Sequence, residues 1–335
     1  MANDNRIDPK NRTETPTKRE LDEDAINFLN DPMFKHNFGS RERSHITIDF
    51  LNSVLDGDGF GTITSIEFQN TVVEPDHADR KVIIVDIVCT TDRGEQIDIE
   101  VQVLPHHYFA ERILTYWSKL FLREIHRGDS YKKVKRTLII TILAEKLLPN
   151  QNYHSRYFVY NPQEQHKLTD VFCLHFLEIK KVEVEKPISQ MTPEEKWLAV
   201  FSRKLSMEQK KRIAQSREAI DEMMSEARAF LQDEDHYLSY LLAEEAERTY
   251  RTDMAASLEE GIEIGQKQGR VEERDENVIK MHRENISKTI ISKISGYSIE
   301  KIEEIIAAEQ HKNSKGADDA VPAATPPQDH GAYET

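Results

Sequence analysis

The chain has 335 residues, 60 acidic against 45 basic side chains, and a formal net charge of −15. Hydrophobic residues make up 38%, enough for a sizeable core, while 31% charge and a mean hydropathy of −0.65 imply much solvated helix or tail. No apolar run approaches the roughly 18 residues that span a bilayer, the N-terminus reads as no secretory signal, and Cys89 and Cys173 alone build neither a disulfide framework nor a Cys-rich zinc site, which suits a reducing cytoplasm.

Residues 1–20 are polar and read as a disordered tail. Helical spacing of Ile46, Phe50, Leu51, Val54 and Leu55 predicts a helix over 40–57, capped by Ser40 and stopped at Gly57. A strand follows over 63–73, then a hairpin over 81–102, whose two β-branched runs flank the turn Asp92-Arg93-Gly94. Phe109, Ile113, Tyr116, Trp117, Leu120 and Phe121 predict a helix over 107–127 that ends at Gly128. Apolar runs at 135–143, 155–161 and 171–179 read as strands, giving an α/β domain with a mixed central sheet over 21–180. From 181 to 308 the pattern is all-α, opening with a capping box at Thr192, Pro193 and Glu195. Within it, glycines repeat every four residues over 261–269 without the lysine of a phosphate loop, and 287–306 reads as two short helices around Ser295-Gly296-Tyr297-Ser298. The Met and Leu positions of 198–241 suit a helical core or a dimer seam, so a homo-oligomer through the helical region is an open expectation. Residues 309–335 read as a second disordered tail.

Net charge argues against nucleic acid, whose binding requires phosphates to be neutralised, but the average hides a split. Residues 21–100 carry 6 basic and 17 acidic side chains, whereas 101–180 carry 12 basic and 7 acidic, densest at Tyr131–Arg136. Lys132, Lys133, Lys135 and Arg136 are therefore candidate DNA-backbone contacts, against the plainer reading of a solvated face.

The hairpin carries the chemistry. In its second strand Ile97, Ile99, Val101 and Val103 alternate with Gln96, Asp98, Glu100 and Gln102, so Glu100 and Gln102 share a face. A three-residue loop with Gly94 left-handed sets Thr91 against Glu95 and, counting back, Asp86 against Glu100. A loop one residue shorter or longer would put the two carboxylates on opposite faces. The favoured register sets their Cβ atoms ~5 Å apart. Carboxylates that close repel, more so when buried, and a divalent cation removes the objection. Mg²⁺ takes oxygen ligands and keeps waters, one of which can attack phosphorus. Gln102 then orients water or phosphate. Arg112, Tyr116 and Lys119 fall on one helical stripe after the hairpin and are candidate phosphate contacts. His106 and His107 resemble a metal pair, but adjacent strand residues point apart, which assigns them to a loop.

Asp86, Glu100-x-Gln102, Phe34-Lys35, Phe38-Gly39, Phe50-Leu51-Asn52, Arg112, Tyr116, Lys119 and Gly128-x-x-Tyr131, in that arrangement over roughly 24–180, resemble the Rpn family of recombination-promoting nucleases and transposases. These belong to the PD-(D/E)XK nuclease superfamily. The resemblance implies a restriction-endonuclease-like mixed sheet with flanking helices and a Mg²⁺-dependent DNA endonuclease, Mn²⁺ being a substitute. It implies Asp86 and Glu100 as metal ligands, Glu42 as the first-helix acid with Asp49 competing, and Gln102 where the superfamily usually has lysine. Links to DNA recombination, mobile elements or phage follow from the same resemblance. The alternative is a non-catalytic nucleic-acid-binding or interaction protein that retains the fold.

Overall fold

The structure, a computed structural model, describes residues 22–73, 83–103, 108–123, 125 and 130–318, excluding the side chains of 133 and 312–318. The expectations for residues 1–20, His106, His107 and Gly128, and for the chain beyond 318, lie outside the described residues. In chain order the regular elements begin with α1 (Asp31–Phe38), α2 (Ser44–Val54), β1 (Ile66–Phe68), β2 (Val72–Val73), β3 (Ile83–Ile84), β4 (Ile87–Thr91) and β5 (Gln96–Gln102). They continue with α3 (Phe109–Arg123), β6 (Thr137–Leu143), β7 (His154–Tyr157), β8 (Tyr160–Asn161), β9 (His166–Lys167) and β10 (Phe172–Glu178). The remainder is helical: α4 (Pro193–Phe201), α5 (Met207–Ala214), α6 (Glu218–Gln232), α7 (Glu234–Arg283), α8 (Lys288–Ser295) and α9 (Ile299–Asp318).

Six strands form the central sheet in the order β1-β4-β5-β6-β10-β7. Pairs β1/β4, β4/β5 and β10/β7 are antiparallel, whereas β5/β6 and β6/β10 are parallel, so the sheet is mixed as expected. The parallel β5/β6 pair needs a crossover, and the amphipathic α3 supplies it, burying Ile113 and Leu120 on one sheet face. Three expected strands are divided: in the first run of the hairpin, β3 pairs only with β2, β4 begins at Ile87, and Asp86 lies in the bend between them. Of 63–73, β1 joins the sheet while β2 pairs only with β3; of 155–161, β7 joins it while β8 pairs only with β9.

The helix expected over 40–57 is shorter, its N-cap being Arg43 rather than Ser40, because residues 40–43 form a turn. The unforeseen α1 precedes it, with Pro32 in its first turn and Met33, Phe34 and Phe38 buried. On the sheet face away from α3, Ile87, Cys89, Ile97, Ile99, Leu138, Ile140 and Ile142 pack against α1, α2 and the helices after the sheet. Aromatic rings lock this layer: Phe38 to Trp197 is 5.6 Å and Phe50 to Trp197 is 5.8 Å between centroids.

Composition changes at 181, but packing does not: α4, α5 and α6 share the core of the sheet, and the compact unit continues to Arg251. The capping box at α4 is formed, with the Glu195 N–H bonding Thr192 Oγ1 at 3.1 Å and the Thr192 N–H bonding Glu195 Oε2 at 2.8 Å. The second unit, Thr252 onward, has its own small core of Val278, Ile291, Ile302, Ile305 and Ile306. Its α8 ends at Gly296, whose φ of +73° supplies the left-handed cap. Its last helix runs on to Asp318 where a tail was expected from 309. Among the described residues no helix is long and apolar enough to cross a membrane.

Candidate active site

The loop between β4 and β5 sets the register. Gly94 has φ +83°, its N–H bonds Thr91 O at 2.9 Å, and the Thr91 N–H bonds Glu95 O at 2.9 Å. That is the three-residue turn expected from Asp92-Arg93-Gly94. The ladder then runs Thr90↔Gln96, Cys89↔Ile97, Val88↔Asp98 and Ile87↔Ile99, so the next step outward sets Asp86 across from Glu100. Two bonds tie Asp86 to β5: the Asp86 N–H donates to Glu100 Oε1 at 2.9 Å, and the Val101 N–H donates to Asp86 Oδ2 at 2.9 Å.

Both faces of β5 are covered, yet its α3-facing row is polar. Gln96, Asp98, Glu100 and Gln102 are all buried, and Asp98 is 0% exposed with neither carboxylate oxygen hydrogen-bonded. Thr141 of β6, beside Glu100 in the ladder, adds another buried hydroxyl without a partner. Unsatisfied polar groups at the centre of a sheet cost stability, and this row is the feature of the fold that packing alone does not explain.

The electrostatics say the same. Burial, then the neighbouring Asp86 charge, pushes the Glu100 carboxyl up to about 8. Asp98 is raised well above the ordinary carboxylate range, by burial first and then by Glu100 and Asp86. Burial also raises Asp86, against the pull of the Val101 N–H and of Lys35. Three carboxyl groups therefore hold protons more tightly than they would in water, the condition that a bound cation relieves.

Two helices supply the surrounding groups. From α3, the Arg112 guanidinium donates to Gln102 Oε1 and lies 5.8 Å from the centre of the Tyr116 ring. Burial, more than the nearby carboxylates, raises the Tyr116 phenol, while Arg112 lowers it. From α1, Lys35 Nζ lies 3.1 Å from Asp86 Oδ1 and 2.7 Å from Asp31 Oδ1. Burial pulls the Lys35 ammonium down, but its bonds to Asp31 and Asp86 outweigh this and leave it raised.

The chain matches a family model described as PD-(D/E)XK nuclease family transposase over residues 28–261, most of its length and all of the central sheet. It belongs to that family. No curated protein and no solved structure matches the chain.

Seen as a PD-(D/E)XK nuclease family transposase, the chain brings together Asp86, Glu100, Gln102, Arg112 and Tyr116, and leaves the other expected residues elsewhere. Glu42 does not sit on the first helix but in the exposed turn before α2, where its Oε2 accepts from Ser40 Oγ at 2.5 Å. Its competitor Asp49 is structural, accepting from Trp197 Nε1 at 2.9 Å and from Arg217 Nε at 2.6 Å. An acidic helix residue that does act on the hairpin pair is Asp31, which raises Asp86 and shares Lys35 with it. Lys119 is half-buried, farther along α3 toward the turn end of the hairpin.

The basic cluster does not reach the carboxylates. Gln96 pairs with Thr137, and the Gln96 N–H bonds Arg136 O at 2.9 Å, so Lys132, Lys135 and Arg136 stand at the opposite end of β5. Glu100, four residues along, is about 13 Å away at ~3.3 Å per residue. There Arg136 lies 4.7 Å from the Phe60 ring centre and 3.7 Å from Asp170, while Lys132 and Lys135 are exposed. The side chain of Lys133 lies outside the described residues.

PD-(D/E)XK nucleases generally use divalent metal ions. Among the described residues no set of three or more His, Cys, Asp or Glu is arranged to hold one. Mg²⁺ does not need such a set, since it commonly takes one or two carboxylates and completes its shell with water and substrate phosphate. Asp86 and Glu100 supply that pair, and burial together with the Asp86 charge raises the Glu100 carboxyl, a cost that a bound cation would relieve. The residues present fit the ion.

Sequence reasoning missed Asp98, Asp31 and Lys35 as members of the site. For Asp98 the signal was present: it lies in the same period-two row as Glu100 in a strand too apolar to face water.

Proposed function

We propose that the chain is a Mg²⁺-dependent DNA endonuclease, with Mn²⁺ able to substitute, which hydrolyses phosphodiester bonds. The observation that carries this reading is the pairing of half-buried Asp86, at the entry to β4, with buried Glu100 on β5, with Gln102 buried two residues along the same row. Bound between them, the cation would polarise the phosphate and lower the pKa of an attacking water.

The chain's own residues do the rest. Asp86 and Glu100 would hold the ion, their carboxylates oriented by the Asp86 N–H on Glu100 Oε1 and the Val101 N–H on Asp86 Oδ2. Arg112 donates to Gln102 Oε1 and so holds the carboxamide in place beside Glu100. Tyr116 of α3 lies close enough to the row for burial and the three carboxylates to raise its phenol against the pull of Arg112. Such cleavage would serve DNA recombination or mobile-element processing, a reading in keeping with the family's description as a transposase.

Nicking of supercoiled plasmid in Mg²⁺ or Mn²⁺ tests the reading. Wild type should relax the plasmid while Asp86→Ala and Glu100→Ala leave it supercoiled. Equal inertness of all three proteins across a wide metal range would refute it.

A further inference from the structure

Gln102 stands where the superfamily usually places a lysine, and a neutral amide cannot offset the charge that builds on a phosphate under attack. Arg112 is engaged by Gln102 and stacked near Tyr116. Another cation meets the hairpin pair from outside the sheet. Lys35 is contributed by α1, whose inner face is locked by Met33, Phe34 and Phe38, the last two rings stacked at 4.6 Å. The helix is rigid, but the side chain is not: Asp31 and Lys35 lie one turn apart on its outer face, bonded at 2.7 Å.

Exposure orders the groups from solvent inward. The Lys35 side chain is 38% exposed, that of Asp86 19%, and Glu100 is 7% exposed. The ammonium therefore lies on the more solvent-exposed side of the pair, 3.1 Å from Asp86 Oδ1. A lysine is a compact charge on a flexible four-carbon stem and can shift by several ångströms without moving its backbone.

We propose that Lys35 takes the part of the missing lysine: with Asp86 engaged as a ligand, its ammonium passes to a non-bridging oxygen of the scissile phosphate, while Asp31 keeps it within reach. This rests on the endonuclease reading and names the phosphate-contacting cation of that same site.

The test uses the full chain with Ca²⁺ as the probe cation and a labelled DNA duplex, read by fluorescence anisotropy, beside calorimetric Ca²⁺ titration without DNA. Lys35→Gln should weaken duplex binding at least 10-fold, leave Ca²⁺ affinity equal or tighter, and lower the nicking rate at least 100-fold. Lys35→Arg should recover part of the duplex affinity. Lys267→Gln, which removes the same charge from the exposed surface of α7, should change duplex affinity less than twofold. Thermal melting confirms that each variant is folded. Duplex binding by Lys35→Gln within twofold of wild type would overturn the proposal, leaving Lys35 a counter-ion of Asp86. So would a joint loss of Ca²⁺ and duplex binding, since Lys35 would then be organising the carboxylates. The endonuclease reading fails separately, if Asp86→Ala and Glu100→Ala bind Ca²⁺ as wild type does.

Discussion

Replacing Glu100 by glutamine should make the metal-free protein more stable at neutral pH. The carboxyl is 7% exposed and is pushed from the ordinary 4.5 up to about 8, chiefly by burial and then by Asp86. Folding at pH 7 must therefore hold the carboxyl protonated, which costs about 3 kcal/mol relative to the ionised group of the unfolded chain, at about 1.4 kcal/mol per pH unit. The sign follows from the proton count. A carboxyl raised on folding binds more protons in the native state, so native stability is intact below pH 4.5 and falls as pH climbs toward 8. Glutamine keeps an oxygen for the Asp86 N–H and has no charge to bury. For a domain of this size about 3 kcal/mol corresponds to roughly 5–10 °C. Melting curves of the metal-free proteins should therefore coincide near pH 4.5 and separate steadily to pH 8, with Glu100→Gln the more stable. Adding Mg²⁺ should raise the wild-type Tm and close most of the gap. A Glu100→Gln protein that melts lower than wild type, with a difference that does not change with pH, would refute the reasoning and make Glu100 an ordinary structural acceptor.

Other variants test the frame that holds the site. Gly94→Ala should destabilise by about 1–2 kcal/mol in urea unfolding, through its left-handed backbone alone, because the new Cβ would meet Lys135 Cε at an ordinary 3.5 Å. Thr192→Ala should cost about 1 kcal/mol by the same measurement, through loss of the α4 capping box. Trp197→Ala should cost about 3–5 kcal/mol, because it opens the ring cluster against Phe38 and Phe50 and leaves Asp49 without its indole donor.

The hairpin was legible because two local signals agreed: a loop whose glycine requires positive φ, and a strict period-two pattern after it. Together they determine which side chains face one another without reference to the rest of the fold. What stayed hidden depended on distant packing. α1 is eight residues long, and its one-turn pair of Asp31 and Lys35 looks like any surface ion pair until Phe34 and Phe38 seat the helix beside the sheet. The basic run at Lys132–Arg136 was legible as charge, but its distance from Glu100 follows from the parallel β5/β6 register, which no local pattern encodes. Asp49 looked like a competitor for catalysis because its partners, Trp197 and Arg217, arrive from helices far along the chain.

The two bonds between Asp86 and the strand opposite span only 14 and 15 residues of chain. Hairpins close within microseconds, so the acidic pair is assembled almost as soon as this segment folds. Its counter-charge on α1 comes from the far side of α2 and must wait for the helical layer to dock. During that interval the nascent hairpin holds clustered negative charge with nothing set against it. Early folding should therefore run faster in mild acid or with divalent ions present, and slower in a chelator, even before any DNA is bound.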